Sequence, residues 1–126
     1  MSKEIFIEQS VIGSILSYAQ MFHPKESILL LKGKTDRKKI VINDLQIPPL
    51  ATHGYSFSGF PLSRLPIDFS VIGVAHSHPS GVLRPSTTDL NQFYGKIMMI
   101  TGYPYQTREH IVLLDRKGNQ LDYSVL

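Results

Sequence analysis

The spacing of hydrophobic positions changes several times along this chain, and each change predicts an element. Ile12, Ile15, Leu16, Ala19 and Phe22 recur at three- and four-residue steps, which predicts an amphipathic helix over about residues 8–21, ended by Pro24. The nearly unbroken apolar run ESILLLKGK (26–34) reads as a buried strand, and KKIVIND (38–44) as its partner, with Gly33 to Arg37 turning between them. DFSVIGVAH (68–76) is the next strand. STTDLNQFYGKI starts a helix, with Ser86 at the N-cap and Asp89 at the third helical position. KIMMITG (96–102) is a short strand, and HIVLLDRKGNQLDYSVL (110–126) a terminal hairpin turning at Arg116 to Asn119. Residues 45–67 hold four prolines and two glycines and read as a long irregular or partly extended segment, of the kind that carries function or moves. The order helix, strands, helix, strands predicts an α/β or α+β fold on a mixed sheet.

Composition narrows this picture. At 126 residues, with 42% apolar and 18% charged positions, the chain is expected to be one globular domain, residues 1–126. The absence of cysteine excludes disulfides and thiolate metal sites and is consistent with a reducing compartment. Glu4 and Glu8 interrupt the N-terminal apolar residues, unlike a signal-peptide core. No stretch approaches the roughly 18 apolar residues of a membrane helix. A soluble cytoplasmic protein is therefore expected. The net charge of +3 is concentrated in KGKTDRKK, Lys32 to Lys39. This is a solvated hairpin turn or a surface for an acidic partner. No aromatic interleaves with it, as stacking on bases would need, so nucleic acid is not the expected partner.

The candidate chemistry lies in HSHPSGVLRPSTTD, His76 to Asp89. Residues two apart on a strand face one side, so two imidazoles at a strand end can converge on one point. Pro79 takes the chain out of the sheet, leaving both rings beside a loop. PSGVLRP is a stiffened return that can bring the next helix N-terminus back to the strand end. Capping and the helix dipole alone account for Ser86 and Asp89. Beside the histidines, however, Asp89 would add an oxygen to two nitrogens. Two His, one Asp and a water make an open tetrahedral Zn²⁺ site. Such a site needs a general base. Of the four glutamates, Glu4, Glu8, Glu26 and Glu109, Glu26 stands out because it opens an apolar strand. The plain alternative is a solvent-facing strand end. His23 and His53 are expected to be ordinary surface or packing residues.

The spacing of His76, Ser77, His78, Pro79, Ser86 and Asp89 resembles the JAMM motif of the JAB1/MPN/Mov34 zinc metalloproteases, in their stand-alone prokaryotic and archaeal form. HPKESILLLKG resembles the family's early strand through Glu26, Leu31 and Gly33, and Gly73 also fits. The likeness spans about residues 5–115. Leu29 stands where the family often has a small residue, and Ala75 where it often has an aromatic. Neither departure removes a ligand or the base.

The resemblance implies a mixed, curved β-sheet flanked by helices, similar to the cytidine-deaminase fold. It implies Zn²⁺ on His76, His78 and Asp89, Glu26 as the base toward the attacking water, and Ser86 as a donor to the oxyanion. It implies cleavage after the C-terminal Gly-Gly of ubiquitin or a ubiquitin-like modifier, whose tail could add as a strand near Gly54 to Pro61. Alternatives on the same residues are trimming of a C-terminal residue from a sulfur-carrier protein and a catalytically silent MPN scaffold. HSHPSG is also similar to a stretch of the RadC-like branch, whose added helical region has no counterpart here, so a DNA-associated role is not expected. Zinc deaminase chemistry needs a cysteine pair that is absent.

Overall fold

The computed structural model describes residues 3–48, 68–91 and 93–126. The candidate tail-docking segment, Gly54 to Pro61, and His53 lie outside the described residues. In chain order the elements are β1 (Glu4–Ile7), α1 (Gln9–Phe22), β2 (Ile28–Thr35), β3 (Lys39–Gln46), β4 (Val71–His78), α2 (Thr87–Asn91), β5 (Ile97–Gly102), β6 (Ile111–Leu114), β7 (Gln120–Leu121) and β8 (Ser124–Val125). A 3-10 turn, Arg108–His110, precedes β6.

All eight strands form one sheet in the order β7-β6-β5-β4-β2-β3-β1-β8. It is mixed: β1 runs parallel to β3 and β8, and β4 parallel to β5, while the other pairs are antiparallel. The two edge strands are separated by only Asp122 and Tyr123. Three residue steps reach about 11 Å at most, whereas eight strands laid flat would span about 34 Å. The sheet must therefore curl until its edges come close.

Both faces of the central strands are covered, which explains the continuous apolar run of β2. Leu29 and Leu31 pack with Ile12, Ile15, Leu16 and Ala19 of α1. Ile28 and Leu30 pack on the opposite face with Val74, Met98, Ile100 and Phe93. Burying each such side chain contributes about 1.5–3 kcal/mol. β5 and β6 alternate in the same way, Met99 and Leu113 on the α1 face, Met98 and Val112 on the other. Gly33 and Gly73 are required by close approach: a Cβ on Gly33 would sit 1.8 Å from the Val41 carbonyl oxygen, and one on Gly73 1.9 Å from that of Ile97.

The elements differ from the sequence expectations at four places. The chain opens with a strand, so Glu4 lies on β1, and Glu8 is the N-cap of α1. The β2–β3 turn is tighter than expected, because β2 continues to Thr35 and the Asp36 carboxylate takes the N–H groups of Lys38 and Lys39. The second helix is only five residues long. Residues 110–126 make more than a hairpin: after pairing on β6, the tail crosses to the far edge and runs parallel to β1. Period alone cannot reveal β1 and β8, since each is short and gains its partners from distant residues. The basic cluster is a hairpin tip, with Lys32 3.6 Å from Asp68. Among the described residues no helix is long and apolar enough to cross a membrane.

Candidate metal centre

Strand β4 delivers the two histidines. Val74 faces the second core and Ala75 the α1 core, so alternation carries His76 and His78 onto Val74's face and Ser77 onto the α1 face. The rings are 4.9 Å apart, tilted by 67°. The loop after Pro79 folds back on the strand tip. The N–H groups of Gly81 and Tyr103 both donate to the His78 carbonyl, at 2.9 and 3.2 Å. His78 Nδ1 lies 2.8 Å from the Val82 carbonyl oxygen. A carbonyl only accepts, so Nδ1 carries a proton there and Nε2 is the nitrogen aimed at the site.

The return loop then places the start of α2. The Ser86 N–H donates to Asp89 Oδ2 at 2.7 Å, and the Asp89 N–H donates to Ser86 Oγ at 3.0 Å. This is a reciprocal capping box. It fixes the carboxylate against both rings: Oδ2 is 3.4 Å from His78 Nε2 and Oδ1 is 3.8 Å from His76 Nδ1. The capping and ligating accounts of these residues are thus one arrangement. The cap holds Asp89 in the pose that completes the cluster.

Glu26 precedes β2 by two residues. The register pairs Ile28 with His76, and the Ser77 N–H donates to the Ser27 carbonyl at 3.1 Å. One step further, Glu26 comes opposite His78. The partly buried carboxylate acts on that ring, since its charge helps raise the His78 pKa. Glu4, Glu8 and Glu109 belong to β1, the start of α1 and the 3-10 turn.

Burial pulls the His76 pKa down to about 4, against the attraction of Asp89. It also opposes the charge on His78, but the hydrogen bonds to Asp89 and the Val82 carbonyl, with the nearby carboxylates, outweigh it and raise that pKa. Asp89 is pushed up by burial, yet its hydrogen bond to His78 and the other positive partners hold it at about 2. The lowered His76 and Asp89 values favour a neutral imidazole and an ionised carboxylate, the forms that ligate metals, whereas His78 would release a proton on binding one. Each of the three residues offers a ligand atom within 4.8 Å of the others. Nitrogen and oxygen donors without thiolate fit Zn²⁺ in an open site.

The two departures noted in the sequence prove to be neighbours. Leu29 pairs directly with Ala75 across β2 and β4, and both are buried beneath α1. A large residue where a small one is usual thus faces a small one where an aromatic is usual.

Residues 8–114 match the family of prokaryotic homologues of the JAB domain, and the chain belongs to that family. A protein of Haloferax volcanii named "Probable metalloprotease" is 38% identical over 112 residues, 82% of this chain and 68% of that one. A JAB1/MPN domain protein from Archaeoglobus fulgidus superposes with a TM-score of 0.74 at 29% identity, over 99% of this chain and all of that one. A structure described as JAMM, a metalloprotease-like zinc site in the proteasome and signalosome, gives 0.69 at 29% identity, over 100% and 99%. The fold is the curled mixed sheet with flanking helices of JAB1/MPN domains.

Sequence reasoning missed the Val82 carbonyl that orients His78, and a set of hydroxyls behind the site. Serine between two histidines could have signalled the latter, because alternation turns it to the opposite face. Nothing in the sequence marks Tyr105 as belonging with it.

Proposed function

We propose that this chain is a zinc metallopeptidase of the JAMM type, hydrolysing the bond that follows the C-terminal Gly-Gly of ubiquitin or a ubiquitin-like modifier, free or isopeptide-linked. The observation that carries the reading is the convergence of His76, His78 and Asp89 beside Glu26 in a chain of this family. His76, His78 and Asp89 would hold Zn²⁺, which when bound supplies Lewis-acid polarisation of the scissile carbonyl and a lowered pKa for water. Glu26 takes the proton of the attacking water on its carboxylate and delivers it to the leaving amine nitrogen. Ser86 serves twice. The cap uses a lone pair of its Oγ, which leaves the O–H to donate to the carbonyl oxygen as that atom gains charge.

Two exposed side chains support a protein substrate. Val82 and Tyr103, 45% and 53% exposed, are each hydrogen-bonded to His78 through their backbone at the strand tip. The names of the relatives, a probable metalloprotease and a metalloprotease-like zinc site, support the peptidase class. The cysteine-free composition supports a cytoplasmic setting.

The test is to incubate zinc-loaded protein with a lysine-linked Gly-Gly modifier conjugate and, separately, with a sulfur-carrier protein bearing one extra C-terminal residue. Cleavage of the first after Gly-Gly is expected. Trimming of only the second would move the assignment to carrier processing. Full zinc occupancy with neither product would make the chain a silent scaffold.

A further inference from the structure

Directly behind the metal face, four polar residues from three separated stretches of the chain lie together, as two hydrogen-bonded pairs. The Ser27 N–H donates to Ser77 Oγ at 2.9 Å, and Ser27 Oγ lies 3.2 Å from the same oxygen. The Ser77 hydroxyl faces the Tyr105 phenol and opposes the rise that burial gives its pKa. The Tyr105 Oη lies 2.9 Å from His23 Nδ1. Ser77 Oγ accepts from Ser27; with the phenol donating to His23 Nδ1, the His23 proton lies on Nε2. Ser27, Ser77 and Tyr105 are buried, at 5%, 1% and 1% exposed.

The line is anchored at the end of α1. Gln20 donates to the Tyr105 carbonyl, and the His23 ring stacks on Tyr103 at 4.5 Å. Tyr105 has a φ of 57°, which L side chains rarely adopt; its N–H is held by the Gly102 carbonyl at 2.9 Å. Backbone strain of this kind persists only where its surroundings enforce it, and it gathers near functional sites.

We propose that Tyr105 and His23 are positioning residues that act through Ser77 and Ser27 to set the spacing between the two histidines and Glu26. Ser77 lies between His76 and His78, and Ser27 follows Glu26, so both ends of the line are one residue from the chemistry. The line clamps β2 to β4 from the α1 face, where the two serine hydroxyls meet. This inference rests on the proposed peptidase activity only for its kinetic arm; its exchange arm is independent of turnover.

The experiment compares Tyr105→Phe, His23→Leu and His23→Gln, loaded with zinc. Removing one buried hydrogen bond is expected to lower kcat about ten-fold, with KM and zinc stoichiometry unchanged. His23→Gln, whose amide can still accept from the phenol, is expected to recover to within about three-fold of wild type. Tyr105→Phe combined with His23→Leu is expected to be no worse than the more severe single change, since one line is cut twice. In parallel, amide exchange on the Tyr105→Phe protein is expected to quicken at Ser27 about ten-fold while Leu29 and Leu31 stay as in wild type. Equal acceleration along β2, or an unchanged Ser27, would overturn the inference, as would additive kinetic losses. An inactive wild type would sink the peptidase reading alone, and the exchange data would still decide this one.

Discussion

The two faces of β4 at its tip solve different problems with neighbouring residues. On the front, His76 and His78 meet Asp89 and face Glu26; the groups are ionisable, and His76, His78 and Asp89 shift one another's pKa values. On the back, Ser77 and Ser27 meet under α1, and the contacts are between neutral hydroxyls. Ionisable groups are costly to bury unless paired or metal-bound, whereas hydroxyls are satisfied by one or two hydrogen bonds. The front thus offers ligand atoms for a cation, and the back offers neutral hydrogen bonds between β2 and β4. A strand's two-residue alternation lets one short segment serve both.

Substitutions sort along this division. The largest effect is expected from His78→Ala, which removes a ligand: zinc binding and hydrolysis should both be lost, read by metal analysis and turnover. A protein that keeps full zinc occupancy would break the assignment of the front face. Glu26→Gln should retain one zinc per chain yet lose about 10²–10⁴-fold in kcat, the usual contribution of general acid–base catalysis. Loss of metal in that variant would make Glu26 a ligand rather than a base.

Ser86→Ala is expected to act twice. Thermal unfolding should show about 1 kcal/mol lost with the cap, and kcat should fall by about 10²–10³-fold if the hydroxyl also meets the oxyanion. Stability loss without a kinetic effect would leave Ser86 as a cap only. The smallest effect is expected far from both faces. Asp36 is held below the usual carboxylate range by the N–H groups of Lys38 and Lys39. Because its folded pKa is depressed, its contribution is present above the unfolded value of about 3.9 and is lost as pH falls below it. Asp36→Ala should therefore slightly lower Tm at neutral pH, converge on wild type in acid, and leave turnover unchanged.

The chain's own pattern determined much of this protein: α1, β2 to β6, the histidine pair at a strand end, and Ser86 and Asp89 at a helix start. These features are local. They follow from a 3.6- or two-residue period, a proline that stops a strand, and a cap spaced three residues from its acid. Tertiary structure alone decided the rest. It brought the capping box onto the histidines and Glu26 across from His78. It set Leu29 against Ala75, sent the tail to the far edge of the sheet, and drew Tyr105 and His23 behind the site. Each of these joins residues distant in the chain, and such contacts depend on strand register and sheet curvature, which the periodicity of any single segment does not encode.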